Sequence, residues 1–396
     1  MPSWTVHHIS KAPAGLDAPD AWPLHGAQRV TMARELALWG YADLCYPAPY
    51  LLADLKAQPY SLRRVLVAVP SDVTDPGADD VVGFAKVTLP LKDNLHFADI
   101  ELAVHPDHET DGVDEALLDG AERFAAEHGR TSFLTWSDQV GEPDPGPGVV
   151  EAPTGSGRIR VDAHLPQVLL RRGYVLEQAE RYSVLQLPVE EALLAEHHAR
   201  AAEKAGPDYR LVSWTDRSPD EWVDQVAVLE TRMSTDAPTA GLDLDEAHWD
   251  AERIRTWERQ LADSRHGYLL TAAEHVPTHT LAAFTVLRYP LDHPWIVYQD
   301  DTLVLREHRG LRLGMLVKAE NLRRLREVRP GAVRVHTWNA QENSYMLDIN
   351  VALGFRLAGV PGAWQKRTAA ADAEQTAAPA AEQAAEAGSA TAGVGA

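Results

Sequence analysis

Sulfur chemistry is almost absent from this chain, because one cysteine, Cys45, stands alone among 396 residues. A lone thiol forms no intramolecular disulfide and no cysteine metal cage, and it reads as a small buried side chain rather than a nucleophile. Long apolar runs are missing too. No window approaches twenty uninterrupted apolar residues, and the opening MPSWTVHHIS lacks the charged-then-apolar order of a secretion signal. A cytoplasmic protein without a membrane segment is therefore expected. Basic residues are scarce: 37 Lys and Arg face 58 Asp and Glu, a formal net charge of −21. Such a field repels phosphate backbones and argues against nucleic acid as a partner. It attracts amine-bearing small molecules, and it serves solubility equally well.

What is present fits a soluble globular protein, with 45% apolar and 24% charged residues. The length exceeds one ordinary domain and suggests two. An Ala-rich helical connector, residues 189–207, separates a first half, 1–188, from a second, 208–367. From Thr368 to Ala396 the chain has no aromatic residue, Lys or Arg, and a disordered tail is expected. The Pro/Gly-rich stretch Gly141 to Gly157 reads as a long surface loop.

Apolar periodicity gives the halves the same order of elements. The first has a helix over Met32–Leu44, strands over 63–69, 81–89 and 97–104, a helix over 113–127 and a strand over 131–136. The second has helices over 220–232 and 245–262, strands over 267–273, 280–289 and 295–304, a helix over 311–327, a strand over 332–338 and a helix over 344–353. Val304 and His308 each lie 200 residues after Val104 and His108, as expected for a duplicated α/β unit.

The two copies diverge where the third strand feeds its helix. In the second half, "TLVLREHRGLRLG" carries arginines and glycines into the first helical turn, where main-chain N–H groups lack partners and the helix dipole is positive. Arg309, Gly310, Leu311, Arg312, Leu313 and Gly314 would present consecutive N–H groups to an anion such as a pyrophosphate. In the first half, "HPDHETDGVDEALL" places Glu109, Asp111 and Asp114 at the matching turn, which repels that anion. The His105/His108 pair has no further ligand cluster and reads as exposed histidine, with no metal expected.

The turn Arg309-x-x-Arg312-x-Gly314, with Arg in place of a central glycine, resembles the acyl-CoA-binding motif of the GNAT superfamily of N-acetyltransferases. "TWNAQENSYMLDINVALGFRLAG" is similar to the end of the GNAT core, and the whole pattern resembles proteins with two tandem GNAT domains. The resemblance implies an α/β (α+β) fold: two tandem domains, each a mixed, mostly antiparallel, splayed sheet flanked by helices. It implies acetyl-CoA as acyl donor, with the pantetheine arm along Thr302, Leu303 and Val304 and near Asn339 and Asn343. Asn343 also reads as a helix cap. The acceptor implied is a primary amine of a small molecule. A monomer or homodimer is expected.

The family's acid-donating tyrosine aligns with Asn350, while Tyr345 lies five residues earlier on the helix. Asp300 and Asp301 on the strand are candidate bases, expected on opposite faces, and either one also reads as an edge carboxylate beside a bulge. Asp236, Asp243 and Asp245, in the polar link before the second half's sheet, are candidates for recognising an ammonium group; they equally read as caps and loop solvation. A catalytically silent, CoA-sensing or protein-binding module is the alternative function, and a longer acyl chain the alternative donor.

Overall fold

The computed structural model describes residues 3–368, so the expected tail lies outside the described residues apart from Thr368. The first half runs β1 (Trp4–Ile9), α1 (Trp22–Trp39), α2 (Ala48–Asp54), β2 (Ser61–Pro70), β3 (Gly83–Pro90), β4 (Phe97–Val104), α3 (Val113–Glu127) and β5 (Ser132–Ser137). A short hairpin, β6 (Val149–Glu151) and β7 (Arg158–Arg160), then precedes α4 (His164–Arg171) and the long β8 (Val175–Gln186). After α5 (Glu191–Ala205) the second half runs β9 (Tyr209–Thr215), α6 (Val223–Asp236), α7 (Ala251–Asp263), β10 (His266–His275), β11 (Thr280–Pro290) and β12 (Ile296–Val304). It ends with α8 (Leu313–Val328), β13 (Arg334–Ala340), α9 (Ser344–Ala352), β14 (Arg356–Gly359) and β15 (Gly362–Arg367).

Most expected elements lie where periodicity put them, β4 and α3 to the residue. The first helix does not. It starts at Trp22, with Pro23 in its first turn, and stops at Trp39, because Gly40 at φ 76° donates its N–H to Leu36 O and caps it. The loop at 141–157 also holds part of the β6/β7 hairpin.

Thirteen strands form one sheet in the order β1-β2-β3-β4-β5-β15-β8-β13-β12-β11-β10-β9, with β14 also against β8. Each half lends its last strand to the other. β15 inserts between β5 and the start of β8, while the end of β8 (180–186) pairs with β13 and is flanked by β14. Helices cover both faces. α3 packs Leu117, Leu118 and Ala121 against Leu66 and Ala85, and α8 lays Leu313, Leu316 and Val317 on Ala273, Ala282 and Ala283. Those alanines let the start of α8 come close to the sheet.

A buried polar network closes the seam. Asp43, after α1, takes two hydrogen bonds from Arg334 (2.6 and 3.0 Å) and lies 3.0 Å from His336 Nε2. His336 Nδ1 is 2.8 Å from the Tyr182 hydroxyl, which is 2.7 Å from that of Tyr41. Burial works against the Asp43 charge, but the hydrogen bonds from His336 and Arg334 outweigh it and hold the carboxyl at about 2. Among the described residues no helix is long and apolar enough to cross a membrane.

Candidate active site

In the second half, β12 splays from its parallel neighbour. β13 pairs only with Ile296, Val297 and Tyr298, so from Asp300 to Val304 that edge of β12 faces no strand among the described residues. On the other edge, Thr302 pairs with Thr285 but Gln299 pairs with Leu287, so Asp300 and Asp301 together oppose the single residue Val286. This is a β-bulge, two residues against one. The buried Gln299 spans it, its Nε2 donating to Val286 O (2.8 Å) and Thr285 Oγ1 (3.0 Å).

The bulge corrects the expectation that Asp300 and Asp301 face opposite sides, because strand alternation is interrupted between them. Arg288 donates to Asp300 at 2.8 and 3.4 Å while its guanidinium lies 4.8 Å from the Tyr298 ring. Asp301 is pushed upward, first by burial and then by the adjacent Asp300 charge. Glu230 of α6 is pushed well upward by burial and then by Asp301 and Asp300, so three carboxylates share one environment beside the splay. Glu230, Arg288 and Gln299 escaped the sequence reading. Glu230 could have been found: it continues the buried stripe of Val223, Val226 and Ala227 on α6, an unusual place for an acid.

At the end of β12 the chain turns through Arg306–His308 into α8. Gly310 has φ 83° and Arg312, the N-cap, has φ 58°. The main-chain N–H groups from Gly310 to Met315 find no acceptor among the described residues, and the first to bond is that of Leu316, to Arg312 O. Six free donors at the positive end of a sixteen-residue helix form a cradle for an anion. Gly314 lets the start of α8 pack closely on β12 and α9, since a Cβ there would lie 3.3 Å from Ile349 and 3.6 Å from Val304.

The other candidates are placed as follows. Leu303 is buried in the core with Phe284, and Val304 O accepts from Arg309 Nε at 3.2 Å. Asn343 caps α9, its side chain accepting from Met346 N, so the cap reading applies. Asn350 is buried and donates to Asn339 Oδ1 (2.7 Å), while its own side-chain oxygen, Oδ1, has no partner among the described residues. That oxygen suits an amide N–H. Tyr345 is 86% exposed, so neither it nor Asn350 supplies a buried acid.

Of the three acids proposed for ammonium recognition, Asp236 and Asp243 have their carboxylates on other partners. Asp236 pairs with Arg306 (2.7 Å) and Arg309 (2.8 Å), bracing the anion turn. Asp243 N–H donates to Gln365 Oε1 and its carboxylate lies 3.4 Å from His96, while the main chain of Asp245 exchanges two hydrogen bonds with the Asn94 side-chain amide and the Asp245 carboxylate stays 78% exposed. These contacts strap the α6–α7 loop across the seam, because the exchanged strand brings the first half within its reach.

In the first half β4 also splays, pairing with β5 only from Phe97 to Ile100, but β3 and β4 run without a bulge. A cleft of about 250 Å³ borders Leu102 to Val104 there. Asp114 stands where the other turn has Gly314, with its carboxylate 3.0 Å from His164 Nε2, and both residues line this cleft. Donor atoms of Asp114, Glu115 and His164 lie within 4.8 Å of one another. Burial raises Asp114, and its hydrogen bond with Glu115 raises it further.

No protein-family model and no curated protein matches the chain. Solved structures do. A tandem GNAT protein from the clavulanic acid biosynthesis pathway, solved without AcCoA, superposes with TM-score 0.67 at 21% identity over 92% of this chain and 98% of that one. A GCN5-related N-acetyltransferase from Sphaerobacter thermophilus gives 0.54 at 12% identity over 91% and 95%. A glucosamine N-acetyltransferase region in a fungal multi-domain GH3 beta-N-acetylglucosaminidase gives 0.54 at 13% over 92% of this chain and 38% of that one. The chain has the tandem GNAT fold.

Proposed function

We propose that the chain is an acetyl-CoA-dependent N-acetyltransferase acting on a primary amine of a small molecule, with its chemistry in the second half. The observation that carries this reading is the row of six free N–H groups at the start of α8, next to a bulged strand edge and a carboxylate cluster. Bound acetyl-CoA would supply a thioester whose carbonyl carbon the amine attacks. The N–H groups of Gly310 to Met315 would hold its pyrophosphate, the open edge at Thr302 and Leu303 its pantetheine arm, and Asn350 Oδ1 an amide N–H of that arm.

An ammonium must lose a proton before it attacks. Asp301 is the carboxylate for that step, because burial and Asp300 make it a stronger base than a free aspartate. Arg288 holds Asp300 in place, and Glu230 adds negative charge that draws a cationic acceptor toward the bulge. No cysteine or serine nucleophile lies in this cluster, which favours direct transfer in a ternary complex.

Titration of acetyl-CoA by calorimetry tests the reading: one site per chain, lost in Arg309→Glu, is expected. No binding by the unmodified chain sinks it, and two sites contradict the assignment to one half. The exposed Tyr345 and the Asn at position 350 favour a second reading, a CoA-sensing module without turnover. Release of free thiol across a panel of amines separates the two, since a sensor releases none.

A further inference from the structure

A second cavity, of about 260 Å³, lies between α1, β4 and the exchanged strand β8. Four carboxylates line it: Glu35, Glu101, Asp138 and Glu180. Only two cations offset them. Arg34 bonds Glu35 Oε1 (2.7 Å) and Asp138 (2.6 Å), and Lys86 pairs with Glu101 at 2.8 Å. Lys86 also lies 3.4 Å from Asp54, which Arg63 pairs in turn, so with every carboxylate ionised two negative charges are left over.

Glu35 gives the cavity direction. Its side chain is 6% exposed, and its second oxygen, Oε2, has no hydrogen-bond partner among the described residues. A buried carboxylate oxygen without a donor is costly and needs a reason. The walls supply one. Trp39, Trp136 and Trp338 present aromatic surface, and Lys86 already sits 4.7 Å from the Tyr46 ring at the same cavity. Aromatic faces beside a carboxylate oxygen that lacks a donor are the surroundings that organic ammonium ions seek. Burial has pushed Glu35 and Glu180 to about 7 and Glu101 to about 8, a direction that a bound cation would reverse.

We infer that this cavity binds a short aliphatic diammonium ion at a site separate from the acyl-transfer centre. The two ammonium groups match the two uncompensated charges, and the alkyl chain lies against the tryptophans. The site belongs to neither half alone, since Trp338 comes from β13 and Glu180 from β8, which pair only through strand exchange. The inference does not depend on the acyl-transfer reading, because no residue of the α8 turn takes part.

Calorimetric titration of butane-1,4-diamine into the full chain at pH 8, without any acyl donor, tests it. Saturable binding is expected, weakened at least tenfold by Glu35→Gln and by Glu180→Gln. The neutral butane-1,4-diol should not bind. Absence of diamine binding, unchanged binding in Glu35→Gln, or equal affinity for the diol overturns the assignment. Circular dichroism checks the fold of each variant. If Glu35→Gln does not fold, Trp39→Leu replaces it, where a tenfold loss is again expected and unchanged binding again overturns.

Discussion

The turn after β12 and the turn after β4 share one backbone plan. Each follows a strand that has parted from its parallel neighbour, and each enters its helix through a left-handed residue, Arg312 at φ 58° or Gly112 at φ 81°. The chemistry on that plan is opposite. In the second half Gly314 leaves the helix terminus open, whereas in the first half Asp114 fills it and meets His164. Position 299 holds a glutamine that bridges a bulge, while its counterpart at 99 is an aspartate on an unbulged strand, pushed up to about 6 by burial. A terminus that could draw an anion from solution is occupied in one copy by the protein's own carboxylate. Duplication thus preserves the scaffold while a few side chains decide whether a ligand can enter.

The comparison breaks most sharply at the carboxylates. Asp301→Asn is expected to cut turnover by roughly 10²–10⁴-fold, the usual range for a lost general base. Glu101→Gln, at the matching position, should leave it within about twofold. Steady-state rates of thiol release check both, and equal losses would erase the distinction between the halves.

Across the seam, Asp43→Asn is expected to cost about 3–5 kcal/mol in denaturant unfolding, because it strips Arg334 and His336 of a buried partner. The sign with pH follows from a carboxyl held below its ordinary 3.8 at about 2. Its stabilisation is present above about pH 4 and fades as pH falls toward 2, by about 2 kcal/mol. The Asn variant should lack this acid-sensitive component.

Gly314→Asp, which copies the closed turn into the open one, should weaken acetyl-CoA by roughly 100-fold, about 2.7 kcal/mol. Unchanged affinity in calorimetry would remove the turn from the site. The smallest effect is expected at Arg312. A non-glycine residue in the left-handed region costs about 1 kcal/mol, so Arg312→Gly should raise the thermal midpoint by about 1–2 °C. A drop instead would mean that the guanidinium contributes more than the strain removes.

Much of the architecture was legible in the sequence. β4, α3 and α8 each show a clean apolar period, and the charge contrast of the two turns needs nothing beyond reading them at a 200-residue offset. β8 was not legible. Its polar residues Glu177, Gln178, Glu180 and Arg181 break the alternation, because one strand serves two sheet halves with different neighbours. The short β1 and β9 lie at sheet edges with mixed burial and so give little periodic signal. In the sequence Asp236, Asp243 and Asp245 read as ammonium binders or as caps and loop solvation, yet Asp236, the last residue of α6, meets arginines seventy or more positions away.

The sequence by itself determined which turn is basic and which acidic, since charge is carried by side-chain identity alone. Tertiary structure decided the rest. The bulge at Asp300 and Asp301 depends on how β11 and β12 register, and the site residues Glu230 and Arg288 come from other elements. The diammonium cavity depends on strands that the halves exchange. Local sequence sets propensity and charge, but strand partners are chosen by long-range burial and hydrogen bonding, which no short window contains.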